Sequence, residues 1–411
     1  MQQTQLAPNQ SVLWRQVWGL AAVQGAIALT WVIYNLYLLD LLTGLGFPRG
    51  LAAGLLILEN LLAAVMEPLM GSLSDRTQHW VGSRFPLIAL GLILAAVCFL
   101  AIPAVFVWGG AGLRGLLPIT LVAWALAMTV FRSPALSLLG RYAFATQLPQ
   151  AASILTLVGG VAGAMGPLAG NFILSLGPAV AFTIGSVVLV VAAAALRQVG
   201  PDRAIAPEKV APPIASRWRD LSLPGLGLIF LAGVGITLGF RLLLSSFPTI
   251  LSAQLPGPLV KLIVGLIFIA LAVTAIPAGR LTLKLGNRRS MVVGLVLMAV
   301  LCGLVAVTRS GLLAGAIAIA FGAAFSFVSN GTIPFALSLV PADKAGLGTG
   351  LYFSGGAVAS SLFGVVVSQT ENLAPIVMAI AGGIAFLAAS LCIAASSRVT
   401  LSTELQQTDS L

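Results

Sequence analysis

Residues Leu51 to Pro86 read LAAGLLILENLLAAVMEPLMGSLSDRTQHWVGSRFP, and this stretch decides the fold. Its first part is an apolar run long enough to cross a bilayer, yet it holds two carboxylates, Glu59 and Glu67. Hydrocarbon tolerates an acid poorly, so acids inside such a run mark a functional site by default. The run ends in Gly71-Ser72-Leu73-Ser74-Asp75-Arg76, and a basic loop then leads through Arg84 to the next apolar run.

The rest of the chain has the same character. Of 411 residues, 59% are hydrophobic and only 8% charged. Soluble domains average roughly 25% charged residues, so this composition defines an integral membrane protein. At about 20 residues per spanning helix the length holds about a dozen helices with short loops. Apolar runs fall at roughly 17–42, 50–73, 86–107, 116–139, 149–174 and 178–197, then at 223–250, 259–284, 289–308, 311–340, 345–369 and 373–396. The longest interruption follows Arg197 and carries Pro, Arg, Lys and Asp, the composition of a linker. The expected organisation is an N-terminal segment (1–16), a six-helix bundle (17–197), a linker (198–222), a second six-helix bundle (223–396) and a tail (397–411).

Charge placement gives the orientation. With the N-terminus in the cytoplasm, Arg49, Arg114, Lys261 and Arg309 fall outside and Arg132 and Arg241 within spans, while the remainder of the 21 Lys and Arg fall inside. That bias is the positive-inside rule, and it accounts for the net charge of +10 without a nucleic-acid partner. Cys98, Cys302 and Cys392 sit singly in apolar runs and His79 is the lone histidine, so neither a disulfide, a metal site nor a His-based catalytic cluster is indicated. No GxxxxGK[ST] loop is present, which argues against direct nucleotide drive.

The helix-two loop, Gly71 to Asp75-Arg76 followed by Arg84, resembles the cytoplasmic signature between the second and third helices of the major facilitator superfamily. Internal echoes agree: Pro68-Leu69-Met70-Gly71 with Pro277-Ala278-Gly279, and Ala135 to Leu139 with Ala336 to Val340. The resemblance implies an all-α membrane protein with twelve transmembrane helices in two pseudo-symmetric six-helix bundles, both termini cytoplasmic, and a substrate held between the halves. It further implies gating roles for Gly71, Asp75, Arg76 and Arg84. Phe131 to Leu136, Gln147 to Ala152, Gly159-Gly160, Glu59-Asn60 and Arg84-Phe85-Pro86 are similar to the sucrose-transporter-like branch, related to glycoside–pentoside–hexuronide:cation symporters. Gly140 stands where relatives often carry an aspartate and the fourth helix has no acid, which turns the expected coupling ion from sodium to protons. Ala162 to Gly170, with Gly166-Pro167, resembles instead the helix-five motif of drug:proton antiporters, though the stretch reads first as a small-residue packing face.

Depth arguments pair the embedded charges. Glu67 lies eight residues before Asp75 and Arg132 nine before Arg141, which sets both about 12–14 Å above the cytoplasmic boundary. An ion pair between helices two and four is the expectation, because an unpaired charge there is expensive. Glu59 and Arg241 match at a second depth in the outer half, so a pair joining the two bundles is expected there. Burial and a nearby arginine move a carboxylate's proton affinity in opposite directions, so Glu59, Glu67, Arg132 and Arg241 are the candidate proton-coupling residues, with a permanent structural ion pair as the alternative. On helix one, Gln24, Trp31 and Asn35 fall within an arc of about 40°, with Tyr34 nearby. Amides and an indole suit a hydroxylated ring, or else a neighbouring helix. Asn330 and Tyr352, with Ser326, Ser329 and Ser354, are the candidates in the second half.

The leading expectation is a secondary active transporter working by alternating access, a proton-coupled symporter of a sugar or glycoside. It is a non-enzyme, monomeric in the bacterial inner membrane, with no cofactor beyond the proton gradient. The alternatives are proton-coupled export of a hydrophobic or amphiphilic compound, and a non-transporting pigment-delivery factor.

Overall fold

A computed structural model describes residues 12–108, 110–205, 221–308, 310–369 and 373–408. The N-terminal residues up to 11 and most of the expected linker, 206–220, lie outside the described residues. Among the described residues, twelve helices are long and apolar enough to cross a membrane. They are α1 (Trp14–Gly44), α2 (Gly50–Val81), α3 (Phe85–Trp108), α4 (Leu116–Ser137), α5 (Leu148–Ser175) and α6 (Gly177–Gln198). The second set is α7 (Leu223–Ser252), α8 (Gly257–Leu285), α9 (Asn287–Val307), α10 (Gly311–Ser338), α11 (Ala345–Gln369) and α12 (Pro375–Thr408). In hydrocarbon every backbone N–H and C=O must find its partner within the protein, and the helix is the form in which one segment satisfies itself. Connections are short. The turn from α2 to α3 closes on Gly82, whose φ of +77° only glycine adopts without strain.

Two hydrophobic cores form, one per half. The first runs from Val12 to Leu196, centred on Trp124, Tyr34 and Phe99, and the second from Ile229 to Ile393, centred on Phe247, Phe321 and Phe386. Apolar side chains such as Val97, Val187, Val191 and Leu391 stay exposed on the outer faces, where lipid solvates them. Chain leaving α6 stays fastened to the first half: Tyr142 donates to the Pro201 carbonyl at 2.8 Å and Ile205 N–H to the Arg141 carbonyl at 2.9 Å.

The halves meet along two seams, α2 against α11 and α5 against α8. At the end that carries Arg84, Arg141, Arg288 and Lys344, α10 also packs on α4 and α5, and Ile333 joins the first half's core. α1 packs on α5 and α6, and α7 on α11 and α12, each within its own half.

Candidate functional site

The seams enclose a central cavity of about 260 Å³. Its first-half wall is Gln24 on α1 with Thr156, Gly159 and Gly160 on α5. The second half supplies Phe240, Phe268, Phe325 and Phe353, together with Ser329, Thr332 and Tyr352. Phe240 and Phe325 stack with ring centroids 4.6 Å apart, and Phe268 meets Phe240 edge-on at 6.1 Å. None of the lining side chains carries a charge. The surface is therefore an aromatic wall facing one of small and aliphatic residues, Leu136, Ala152, Leu155, Gly159 and Gly160, with one amide and a few hydroxyls as polar points.

Beside it lies the embedded ion pair expected from register. Glu67 is fully buried; Arg132 Nε donates to its Oε1 at 2.8 Å with Nη2 at 2.5 Å, and Ser133 donates to Oε2. The guanidinium also stands 4.7 Å from the centre of the Phe353 ring, so the pair touches the opposite half through a cation–π contact. Both oxygens of this carboxylate are satisfied.

Glu59 is different. It too is buried, and Tyr34 donates to Oε1 at 2.5 Å, but Oε2 has no hydrogen-bond partner. The pair with Arg241 does not form: Arg241 is exposed and makes no salt bridge among the described residues. Matching depth fixes height along the membrane normal but not azimuth, and the Glu59 side chain turns into its own half. There Trp31 packs edge-on to Tyr34 and Trp124, with centroids 5.6 and 4.8 Å away, and Tyr34 stacks on Trp124 at 4.5 Å.

The third acid holds the halves together. Asp75 Oδ1 accepts from the Gly346 N–H at 2.8 Å and Oδ2 from the Leu347 N–H at 2.9 Å, so an α2 side chain caps the first turn of α11. Arg84 Nη2 reaches Oδ1 at 2.7 Å, and Arg84 also donates to Ser137 on α4. Burial pulls the Arg84 guanidinium below its ordinary range and Asp75 opposes that shift, so each charge needs the other. Gly71 makes the approach possible, since a Cβ there would fall on the Gly346 carbonyl oxygen. Arg76, expected in this latch, is exposed and bonds to nothing among the described residues. One residue on from Asp75, it points about 100° away around the helix.

Other expected site residues scatter. Of the α1 stripe only Gln24 lines the cavity. Trp31 and Tyr34 belong to the aromatic cluster, and Asn35 is exposed and donates to the Trp31 carbonyl at 2.7 Å. Tyr352 lines the cavity, whereas Asn330 is buried outside it with Nδ2 on the Ala275 carbonyl at 2.8 Å. Gly166 faces Val32 of α1, and Pro167 sits inside α5 near its far end. The cavity phenylalanines escaped sequence reasoning, because an aromatic in an apolar helix looks the same whether it faces lipid or a void.

Twelve apolar spans among the described residues, in two halves around a cavity, define a polytopic membrane protein. The sequence profile of the Major Facilitator Superfamily matches residues 20–365, and the chain belongs to that superfamily. Among curated proteins none matches the sequence. Solved structures share the fold at low identity. The human organic anion transporter MFSD10 (TETRAN) is 17% identical with a TM-score of 0.70 over 94% of this chain and 100% of that one. A bacterial homologue of the iron transporter ferroportin in an outward-facing state is 15% identical with a TM-score of 0.74 over 94% and 100%. The proton:xylose symporter XylE bound to 6-bromo-6-deoxy-D-glucose is 13% identical with a TM-score of 0.70 over 93% and 95%.

Proposed function

We propose that this transporter moves an uncharged, ring-bearing amphiphile through the central cavity in a bacterial cytoplasmic membrane, coupled to a proton carried on Glu59. The observation that carries the reading is the cavity wall: four phenylalanines from one half, a face of small and aliphatic residues from the other, and no charged lining residue. Such a surface stabilises an apolar ring by burial and stacking, while Gln24, Thr156, Ser329 and Thr332 orient a polar edge. The amide and hydroxyls also support a narrower reading, in which the polar part is a sugar and the solute a glycoside. Equilibrium binding to the purified protein separates the two. If the amphiphile reading holds, an aryl glycoside binds at least about tenfold more tightly than the free sugar, and Phe325→Ala removes that advantage. Equal affinity for both would establish a sugar site instead.

Proton coupling is assigned to Glu59 rather than Glu67. A buried carboxyl with one unpartnered oxygen and no cation has a place for a proton, whereas Glu67 is saturated by Arg132 and Ser133. Glu59→Gln preserves the acceptor for Tyr34 and removes the exchangeable proton. In proteoliposomes that variant is expected to keep substrate exchange at equal pH and lose accumulation driven by a pH gradient. Gradient-driven accumulation at the wild-type level would remove Glu59 from the mechanism.

A further inference from the structure

The aromatic cluster beside Glu59 has one ring on its open side. Tyr34, Trp124, Phe99 and Phe182 are fully buried and follow one another with centroids 4.5, 5.0 and 4.4 Å apart. Trp31, edge-on to Tyr34 and Trp124, is only partly buried. It lies seven residues beyond Gln24 on α1, on the same face within about 20° and about 10 Å further along the axis. Gln24 lines the central cavity. The other faces of α1 are taken: Val32 and Leu36 meet α5 at Gly166 and Gly170, Ile33 meets α6 at Gly185, and Tyr34 turns to Glu59. The accessible side of Trp31 therefore looks onto the space between the halves, and its covered side onto Tyr34, with the Glu59 carboxyl one hydrogen bond behind. No hydrogen bond fixes the indole, since Nε1 is buried without an acceptor, and the ring is held by packing alone. Around Glu59 the only titratable group bonded to it is the Tyr34 hydroxyl; the rings behind, from α3, α4 and α6, are uncharged, and Glu67, about 12 Å along α2, is already bonded to Arg132 of α4.

We propose that Trp31 is the seal of the proton site. In this arrangement its indole keeps solvent between the halves away from Tyr34 and Glu59, and the carboxyl exchanges its proton only when the ring turns out. The proposal rests on the assignment of the proton to Glu59 and extends it to the residue that controls when exchange occurs. A covered acid does not pass protons through an empty transporter, so the seal separates coupled movement from leak. Trp31 acts through access, as a positioning residue, and bonds neither the proton nor the solute.

The test measures access and conduction separately. A water-soluble carbodiimide is applied to the purified full-length protein, and adducts at Glu59 are read by peptide mass spectrometry. Wild type and Trp31→Phe, which keeps a ring in place, are expected to label slowly, and Trp31→Ala at least about tenfold faster. Glu67, saturated by Arg132 and Ser133 on the same helix, is the internal control for folding. If it labels in Trp31→Ala, the milder Trp31→Leu is read in its place. In proteoliposomes under an imposed pH gradient with no solute added, Trp31→Ala is expected to dissipate the gradient at least about tenfold faster than wild type, and the Trp31→Ala/Glu59→Gln double variant to return to the wild-type rate. Unchanged labelling of Glu59 in Trp31→Ala, or a leak that survives in the double variant, would overturn the seal. Faster labelling without a leak would instead overturn the assignment of the proton to Glu59, with the cover itself still standing.

Discussion

The two seams that join the halves differ in how many hydrogen bonds cross them. Between α2 and α11 glycines also pack closely, Gly71 on Gly346, Gly350 on Pro68 and Gly364 on Ile57, but side-chain-to-backbone hydrogen bonds recur along the contact. Asp75 caps Gly346 and Leu347, Ser354 donates to the Ala64 carbonyl at 2.5 Å, and Ser361 donates to the Ile57 carbonyl at 3.1 Å. Between α5 and α8 it is almost entirely small-residue packing: Gly160 on Ala272, Gly163 on Phe268, Gly265 on Leu168 and Gly279 on Ser153. A hydrogen bond from Lys261 to Asn171, 3.0 Å long and exposed, is the polar contact at its far end. Directional bonds specify one register, whereas glycine and alanine faces tolerate several at similar cost. The difference teaches that the hydrogen bonds of α2–α11 specify how the halves are aligned, whereas α5–α8 is the seam expected to tolerate a shift in register.

The largest expected break in this contrast is Asp75→Ala. It strips two amide hydrogens of their acceptor and leaves Arg84 buried without its partner, so unfolding in SDS micelles is expected to be easier by about 3–5 kcal/mol. A loss under about 1 kcal/mol would mean the latch is not a determinant of alignment. Next comes a matched pair of glycines. Gly71→Ala drives a Cβ into the Gly346 backbone, which has no side chain to turn aside, and is expected to cost about 3 kcal/mol. Gly163→Ala meets only the Phe268 ring edge, 2.8 Å from the new carbon, and the gain in helix propensity offsets the shift, so the net change is expected within about 1 kcal/mol. Equal effects from the two would erase the distinction between the seams. Smallest is Lys261→Ala, expected to change stability by less than about 0.5 kcal/mol because the side chain is exposed.

Much of the fold was legible because hydrocarbon imposes one solution on the backbone, and a run such as Leu51–Gly71 has no other way to satisfy its peptide groups. The Glu67–Arg132 pair was legible too, since both residues lie on helices of the same half and depth alone restricted the choice. Depth misled for Glu59. The partner that sequence reasoning chose was an arginine across the molecule, while the observed one is a tyrosine on the neighbouring helix, already noted for another role. The resemblance implied gating roles for both Arg76 and Arg84, but the guanidinium that meets Asp75 is that of Arg84 alone, beyond the turn at Gly82. Asn330 looked like a ligand contact and serves a backbone carbonyl instead, a use of amides that no side-chain pattern reveals. The cavity itself is a product of how two bundles face each other, and single-helix periodicity has no access to that.

The cap on α11 leaves the molecule unevenly open to mutation. One party to that bond is a side chain, replaceable by a single codon change; the other is main-chain amide, which no substitution at Leu347 can delete short of proline. Drift can therefore unlock the halves from the Asp75 side alone. The same asymmetry supplies a reporter, because the Gly346 and Leu347 amide protons should resist exchange with deuterated solvent while the halves are engaged and exchange when they part, without any label being introduced.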